Sequence, residues 1–198
     1  LTGVFLALRG LGTLCGSTLL VFINKKLDPR FILSVGFLLQ GIAGFYMSHF
    51  DINLSAFELA WTNSLAGLGV GFVWVPLTLI TFNTLDKKFL NEASAFWHLI
   101  RNIGSSISIS ITIALVIRST AINYADLSSF ISIFGDSTSV MPLKGTTAPS
   151  GVESLSGLSK EIVRQSEMIG YINAFHLYYW IAFSIIPLVW LAPLKPQN

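Results

Sequence analysis

Apolar residues gather along this chain in five long runs, from about Val4 to Ile23, Phe31 to Ser48, Ala56 to Phe82, Ala93 to Ile117 and Ile172 to Leu191. A helix needs roughly 20 such residues to cross the hydrocarbon core of a bilayer. The pattern therefore predicts an all-α, polytopic transmembrane bundle of about five spans. Most breaks are short and polar, such as Asn24-Lys-Lys-Leu-Asp-Pro-Arg30 and Thr84-Leu-Asp-Lys-Lys88, so successive spans should be antiparallel neighbours. One connection, 118–171, is long. Its Gly/Ser/Thr/Pro-rich stretch from Gly135 to Ser156 has too little apolar surface to offset the entropy of ordering. After it, Leu158, Ile162 and Ile169 alternate with Lys160, Glu161, Arg164 and Glu167 at helical period, with Ser159 placed to cap. This predicts a short amphipathic helix over 159–170, lying on the outer membrane surface or packed on the loop in water.

Composition agrees with a membrane solvent. Of 198 residues, 53% are hydrophobic and 11% charged, against roughly 25% charged in a soluble domain, and mean hydropathy is +0.68. A net charge of +2 without a basic cluster excludes nucleic acid as a partner. The single cysteine, Cys15, lies inside the first run and can form neither an internal disulfide nor a cysteine metal site. The chain is already apolar at Leu1, with no initiator methionine and no basic n-region, which is expected of a fragment or of a first helix that lacks its start.

Lysine and arginine set the orientation, because short cytoplasmic loops carry the excess of positive charge. Lys25, Lys26 and Arg30 mark one side, and Lys87, Lys88 and Lys195 mark the same side at two-span intervals, whereas the loop around Asp51 and Glu58 has neither residue type. The expected topology puts the C-terminus in the cytoplasm and the long connection outside.

No catalytic arrangement emerges. His49, His98 and His176 fall in or beside different spans, and no HExxH, GxSxG or P-loop spacing occurs, so the chain is not expected to be an enzyme or to hold a metal or cofactor. Each histidine alone reads more readily as an interhelical or interfacial hydrogen-bonding group.

Charges inside the spans are more informative, since a central arginine costs roughly 2.5 to 3.5 kcal/mol on insertion scales. Arg9 lies about 14 residues, or roughly 21 Å, before the inner end of its span, too deep for easy snorkelling to that side. Gly3, Gly10, Gly12 and Gly16 around it would admit another backbone, with the last two at GxxxG spacing. Arg9 thus faces a cavity or, alternatively, anchors the outer interface. Arg101 lies about a third of the way along the fourth span. Counting by three and four joins Ser94, His98, Arg101, Ser105, Ser108 and Thr112 into one polar stripe, which suits a water-filled cavity or other helices rather than lipid. Close packing alone explains the serines but not Arg101 or His98. Glu92 is the one carboxylate near a span that could carry a proton, although its first-turn position fits helix capping better. Gly67, Gly69 and Gly71 precede Val75-Pro76, where close packing and a kink are expected. Trp61, Trp97, Trp180 and Trp190 read as interface anchors, while Trp74 lies deeper and suits either packing or substrate stacking.

Gly67-Leu-Gly-Val-Gly-Phe-Val-Trp-Val-Pro-Leu77 and Glu92-Ala-Ser-Ala-Phe-Trp-His-Leu-Ile-Arg101-Asn-Ile-Gly104-Ser-Ser-Ile107 resemble the third- and second-last spans of fourteen-helix drug:proton antiporters of the EmrB/QacA type, in the major facilitator superfamily. Leu27-Asp-Pro-Arg30 and Arg164-Gln-Ser-Glu-Met-Ile-Gly-Tyr171 resemble an inner loop and the approach to the last helix of the same family. The likeness covers almost the whole chain in one order. It implies that residues 1–198 form the C-terminal part of such a transporter, with five helices of the second six-helix bundle. The implied activity is efflux of amphipathic compounds in exchange for protons, without ATP, across a bacterial inner membrane. Arg101 falls on the arginine of the family's Arg-Asn motif, and Arg9 on an arginine in the helix before the inner loop. The implied partners are the lipid bilayer, an amphipathic small molecule, protons, the remaining helices of the transporter and, as an optional component, a periplasmic membrane-fusion adaptor.

Four positions depart from the family: Trp97-His98 where Phe-Asn is common, Ser105 for a second glycine, and Asn173 where an aspartate is frequent. The last removes a protonatable group. Export of a siderophore or other metabolite, a non-transporting membrane scaffold, and a nonfunctional remnant of a broken gene are the alternatives.

Overall fold

In the computed structural model, residues 2–23, 27–82, 85–129 and 152–191 are described. They form α1 (Thr2–Ile23), α2 (Pro29–Met47), α3 (Ala56–Phe82), a 3-10 turn (Lys87–Phe89), α4 (Leu90–Ser129) and α5 (Val152–Leu191). All five α-helices are long and apolar enough to cross a membrane. Lys25, Lys26, Lys195 and most of the Gly135–Ser156 stretch lie outside the described residues.

Helix starts follow local chemistry. At α2 the extended backbone of Asp28 precedes Pro29, whose fixed φ and missing N–H suit the first helical position. Asp28 O then accepts from Phe31 N at 3.0 Å. α3 opens with a reciprocal capping box: Glu58 N donates to Ser55 Oγ at 3.2 Å, and Ser55 N donates to Glu58 Oε2 at 3.0 Å. At the far end of α2, Ser48 N donates to Gly44 O at 2.9 Å and Ser48 Oγ to Phe45 O at 2.7 Å. α3 runs on through Pro76, which is buried, to Phe82.

The last two helices are longer than the hydropathy runs. α4 continues past the expected span end at 117 to Ser129, because residues 118–129 contain no glycine or proline and keep helix-compatible Ala121, Ile122, Ala125 and Leu127. The stretch expected to form a separate amphipathic helix, 159–170, is instead continuous with the last span in α5. Ser159 is an interior residue of that helix, not its cap, since α5 starts upstream at Val152. Gly170 does not break it.

The chain divides into two compact units, Leu1–Ser108 with Phe175–Asn198, and Ile109–Ala174. In the first, α3 is the central helix, and its glycines show how. Gly67 and Gly71 are four residues apart and share a face, whereas Gly69 is two residues on, about 200° round the helix, and faces the other way. A Cβ on Gly67 would collide with Arg9 O, and one on Gly71 would lie 2.7 Å from Thr13 O, so this face meets α1 backbone to backbone. Gly12 and Gly16 complete the seam from the α1 side, against Ser64 O and Leu68 O. On the opposite face a Cβ on Gly69 would lie 2.9 Å from Gly36 O of α2. The Gly-x-Gly-x-Gly run is thus a two-sided packing motif. α2 in turn receives the second part of α5, with Phe183 against Gly41 and Tyr178 against Gly44. Ala43, Met47 and Ala66 form a buried cluster with Phe50, Leu65 and Phe175 around it.

In the second unit Gly170 of α5 meets α4 at Thr120 Oγ1 and Val116 O, the latter 3.0 Å from where its Cβ would be. The outer surfaces are oily. Val4, Leu6, Leu11, Leu14 and Phe22 of α1 are each more than half exposed, an arrangement suited to hydrocarbon rather than water.

Candidate functional site

Arg101 projects from the part of α4 that belongs to the first unit. Its guanidinium carbon lies 4.1 Å from the centroid of the Trp74 ring of α3. That distance is within cation–π range, and stacking lets a planar guanidinium shed part of its hydration without an anionic partner. Among the described residues no carboxylate pairs with Arg101. Ser94 is half-buried, and His98, Arg101, Ser105 and Ser108 are exposed, so the polar stripe is open to whatever adjoins this face. One member is partly spent on its own helix, for Ser105 Oγ donates to Asn102 O at 2.9 Å. Glu92 sits exposed in the first turn of α4, where a carboxylate is favoured by the helix dipole.

Arg9 is exposed on α1, and its carbonyl oxygen rests against Gly67 and accepts from Thr13 Oγ1 at 3.0 Å. On α5, Tyr178 carries a hydroxyl inside the last span. That hydroxyl donates to Gln40 Oε1 of α2 at 2.9 Å. Gln40 lies over Gly69, whose Cβ would be 2.7 Å from Gln40 Cγ. A polar pair therefore links α2 and α5 beside the glycine of α3. Among the described residues no hydrogen bond or ion pair joins any two of Arg9, Glu92, His98, Arg101 and Ser105. The structure puts Arg9 and Arg101 in two separate polar settings.

Tyr178 and Gln40 were not singled out in the sequence, although a polar amide in the middle of the second apolar run was a usable signal. Asn173 does not hang free: its Nδ2 donates to Ser119 Oγ at 2.6 Å in the second unit. His49 Nδ1 lies 2.9 Å from Phe45 O at the end of α2, and the His176 ring lies 5.5 Å from that of Tyr179.

The fold and these charges define an integral membrane protein of several helices with cationic and amide groups inside its spans. No family model matches the chain. Its sequence is similar to EmrB-type multidrug export proteins, the likeness that the Gly-rich and Arg-Asn spans lead one to expect. It is 24% identical over 169 residues to the multidrug export protein EmrB of Escherichia coli K12, covering 84% of this chain and 33% of that protein. It is 28% identical over 197 residues to the probable multidrug resistance protein EmrY of the same organism, covering 96% and 38%. The fatty acid resistance protein FarB of Neisseria gonorrhoeae is 21% identical over 172 residues, covering 85% and 34%. The chain thus spans about a third of the length of the curated relatives it matches.

Proposed function

We propose that the chain forms part of the second bundle of a secondary active exporter, which expels amphipathic compounds across the bacterial inner membrane in exchange for protons. The observation that carries this is Arg101, a charge inside an apolar helix, stacked on Trp74 and still exposed. Lipid is a costly neighbour for that group, so a water-filled cavity or other helices of the transporter must adjoin it. Relatives named for multidrug export and fatty acid resistance support amphipathic molecules as the substrate class.

In this reading the two bundles rock about a midplane site, and the polar face of α4 forms one wall of the cavity. A guanidinium keeps its charge at any working pH, so Arg101 does not itself carry the exchanged proton. It holds the electrostatics of the cavity and pairs with a carboxylate supplied by the remaining helices, which releases it on protonation. Arg9 and the Tyr178–Gln40 pair support a second part of the same wall. The C-terminus lies in the cytoplasm, and a periplasmic adaptor is an optional partner.

Everted membrane vesicles containing the protein expressed from its complete reading frame test this. An imposed proton gradient should drive uptake of an amphipathic dye, and collapsing the gradient with an ionophore should stop it. Uptake indifferent to the gradient would leave the exchange with protons without support.

A further inference from the structure

The second unit contains a mainly apolar groove with a few polar groups, which the transport reading does not use. It measures about 530 Å³, with Leu115 and Ile122 among its apolar walls and Arg118, Ser119, Asn123 and Asn173 as its polar groups. Both ends of the groove's polar set lie just where apolar runs stop or start: Arg118 follows the run ending at Ile117, and Asn173 is the second residue of the run beginning at Ile172. That is the level at which hydrocarbon gives way to headgroups.

Its hydrogen bonds leave it rich in donors. Asn123 Nδ2 donates to Ser119 O at 2.8 Å, and a carbonyl can only accept, which fixes the amide orientation of Asn123. Ser119 Oγ receives Asn173 Nδ2 at 2.6 Å and Asn123 Nδ2 at 3.3 Å. Asn123 Nδ2 thus spends its N–H groups on Ser119, whereas Asn173 Nδ2 keeps a second one. Arg118 adds up to five N–H donors, and among the described residues it has no carboxylate partner; none lines the groove. A positive, donor-rich end beside apolar walls calls for a ligand that brings acceptors and a tail.

We infer that this groove binds an oxyanion head, phosphate or carboxylate, carried on an apolar chain. Arg118 holds the head by charge-assisted hydrogen bonds, the remaining N–H of Asn173 adds to its shell, and Leu115 and Ile122 contact the tail. A phospholipid of the surrounding leaflet and a free amphiphilic acid both supply this chemistry. The groove shares no residue with the Arg101–Trp74 contact, so its fate does not decide the transport reading.

The test uses the protein expressed from its complete reading frame, purified in a sugar-headed detergent, with bound molecules counted by native mass spectrometry. Phosphatidylglycerol, dodecanoate and inorganic phosphate are added in separate arms. Retention of one phosphatidylglycerol or one dodecanoate is expected, with the preferred one identifying the source, and inorganic phosphate should bind far more weakly than either. Arg118→Gln should weaken binding by about tenfold or more, and Arg118→Lys should restore part of it. Asn173→Asp is isosteric but replaces a donor with a charged acceptor, so it should weaken binding in the same direction. Because Arg118 is exposed and Asn173→Asp conserves shape, at least one variant is expected to fold normally. Undiminished binding by a folded variant of either kind, or equal binding of inorganic phosphate and the amphiphiles, would overturn the assignment.

Discussion

The Arg101 guanidinium carbon lies 4.1 Å from the centroid of the Trp74 ring, tying α4 to α3 through a cation and a π face. If the contact stabilises the fold, Trp74→Leu and Arg101→Gln should not add. A double-mutant cycle on thermal or denaturant stability should give a coupling of about 0.5 to 2 kcal/mol, with Trp74→Phe retaining part of it. Strict additivity would show that the two side chains are neighbours without interaction.

The glycines of the α1–α3 seam differ sharply from glycines elsewhere. Gly67→Ala and Gly71→Ala drive a methyl into the backbone of α1, at Arg9 O and Thr13 O, and should cost about 1 to 3 kcal/mol. Gly10→Ala and Gly104→Ala meet no atom within 4 Å, so they should be neutral or slightly stabilising through helix propensity. Melting temperatures in detergent, measured on all four variants, check the contrast. Equal effects would mean that α1 and α3 do not touch along this seam.

Tyr178 and Gln40 make a side-chain hydrogen bond between α5 and α2. Tyr178→Phe should lower stability by about 0.6 to 2 kcal/mol, the range for interhelical bonds in membranes. Gln40→Leu should cost no more once Tyr178 is already Phe. A full additional loss in the double variant would assign Gln40 another partner.

Single-helix patterns made much of this architecture legible and left out what depends on pairs of helices. Apolar run length is a property of one segment, so five spans could be read directly from the sequence. The Gly67, Gly69 and Gly71 run signalled close packing, but only the angular separation seen against real neighbours shows that alternate glycines serve α1 and α2. Arg101 stood out because a charge in hydrocarbon is costly wherever it lies. Trp74 stood out only by its depth, and its pairing with Arg101 did not, since the two lie on different helices. Tyr178 resembles any aromatic near a span, and its bond to Gln40 crosses most of the chain. The continuation of α4 and α5 beyond their apolar runs was illegible for another reason: hydropathy reports where lipid is, whereas a helix persists until its backbone is broken.

Orientation rests on the lysine and arginine asymmetry between loops. In a Cys15→Ser background, cysteines at Lys25 and Lys87 should resist an impermeant thiol reagent applied to intact cells, and one at Ser139 should react. Labelling of position 25 from outside would reverse the topology.

The proposed cavity role of Arg101 is most directly tested by proton-driven dye uptake into everted vesicles carrying the Arg101→Ala variant, with its membrane abundance quantified in the same preparation. Removing a costly charge should not impair insertion, so abundance should stay near that of the unaltered protein while uptake falls to the level of vesicles without transporter. Arg101→Lys should reveal whether charge alone suffices, because it keeps the cation and loses the planar fork. Uptake at the unaltered rate by an abundant Arg101→Ala protein would contradict the account and leave Arg101 as a helix-packing residue stacked on Trp74.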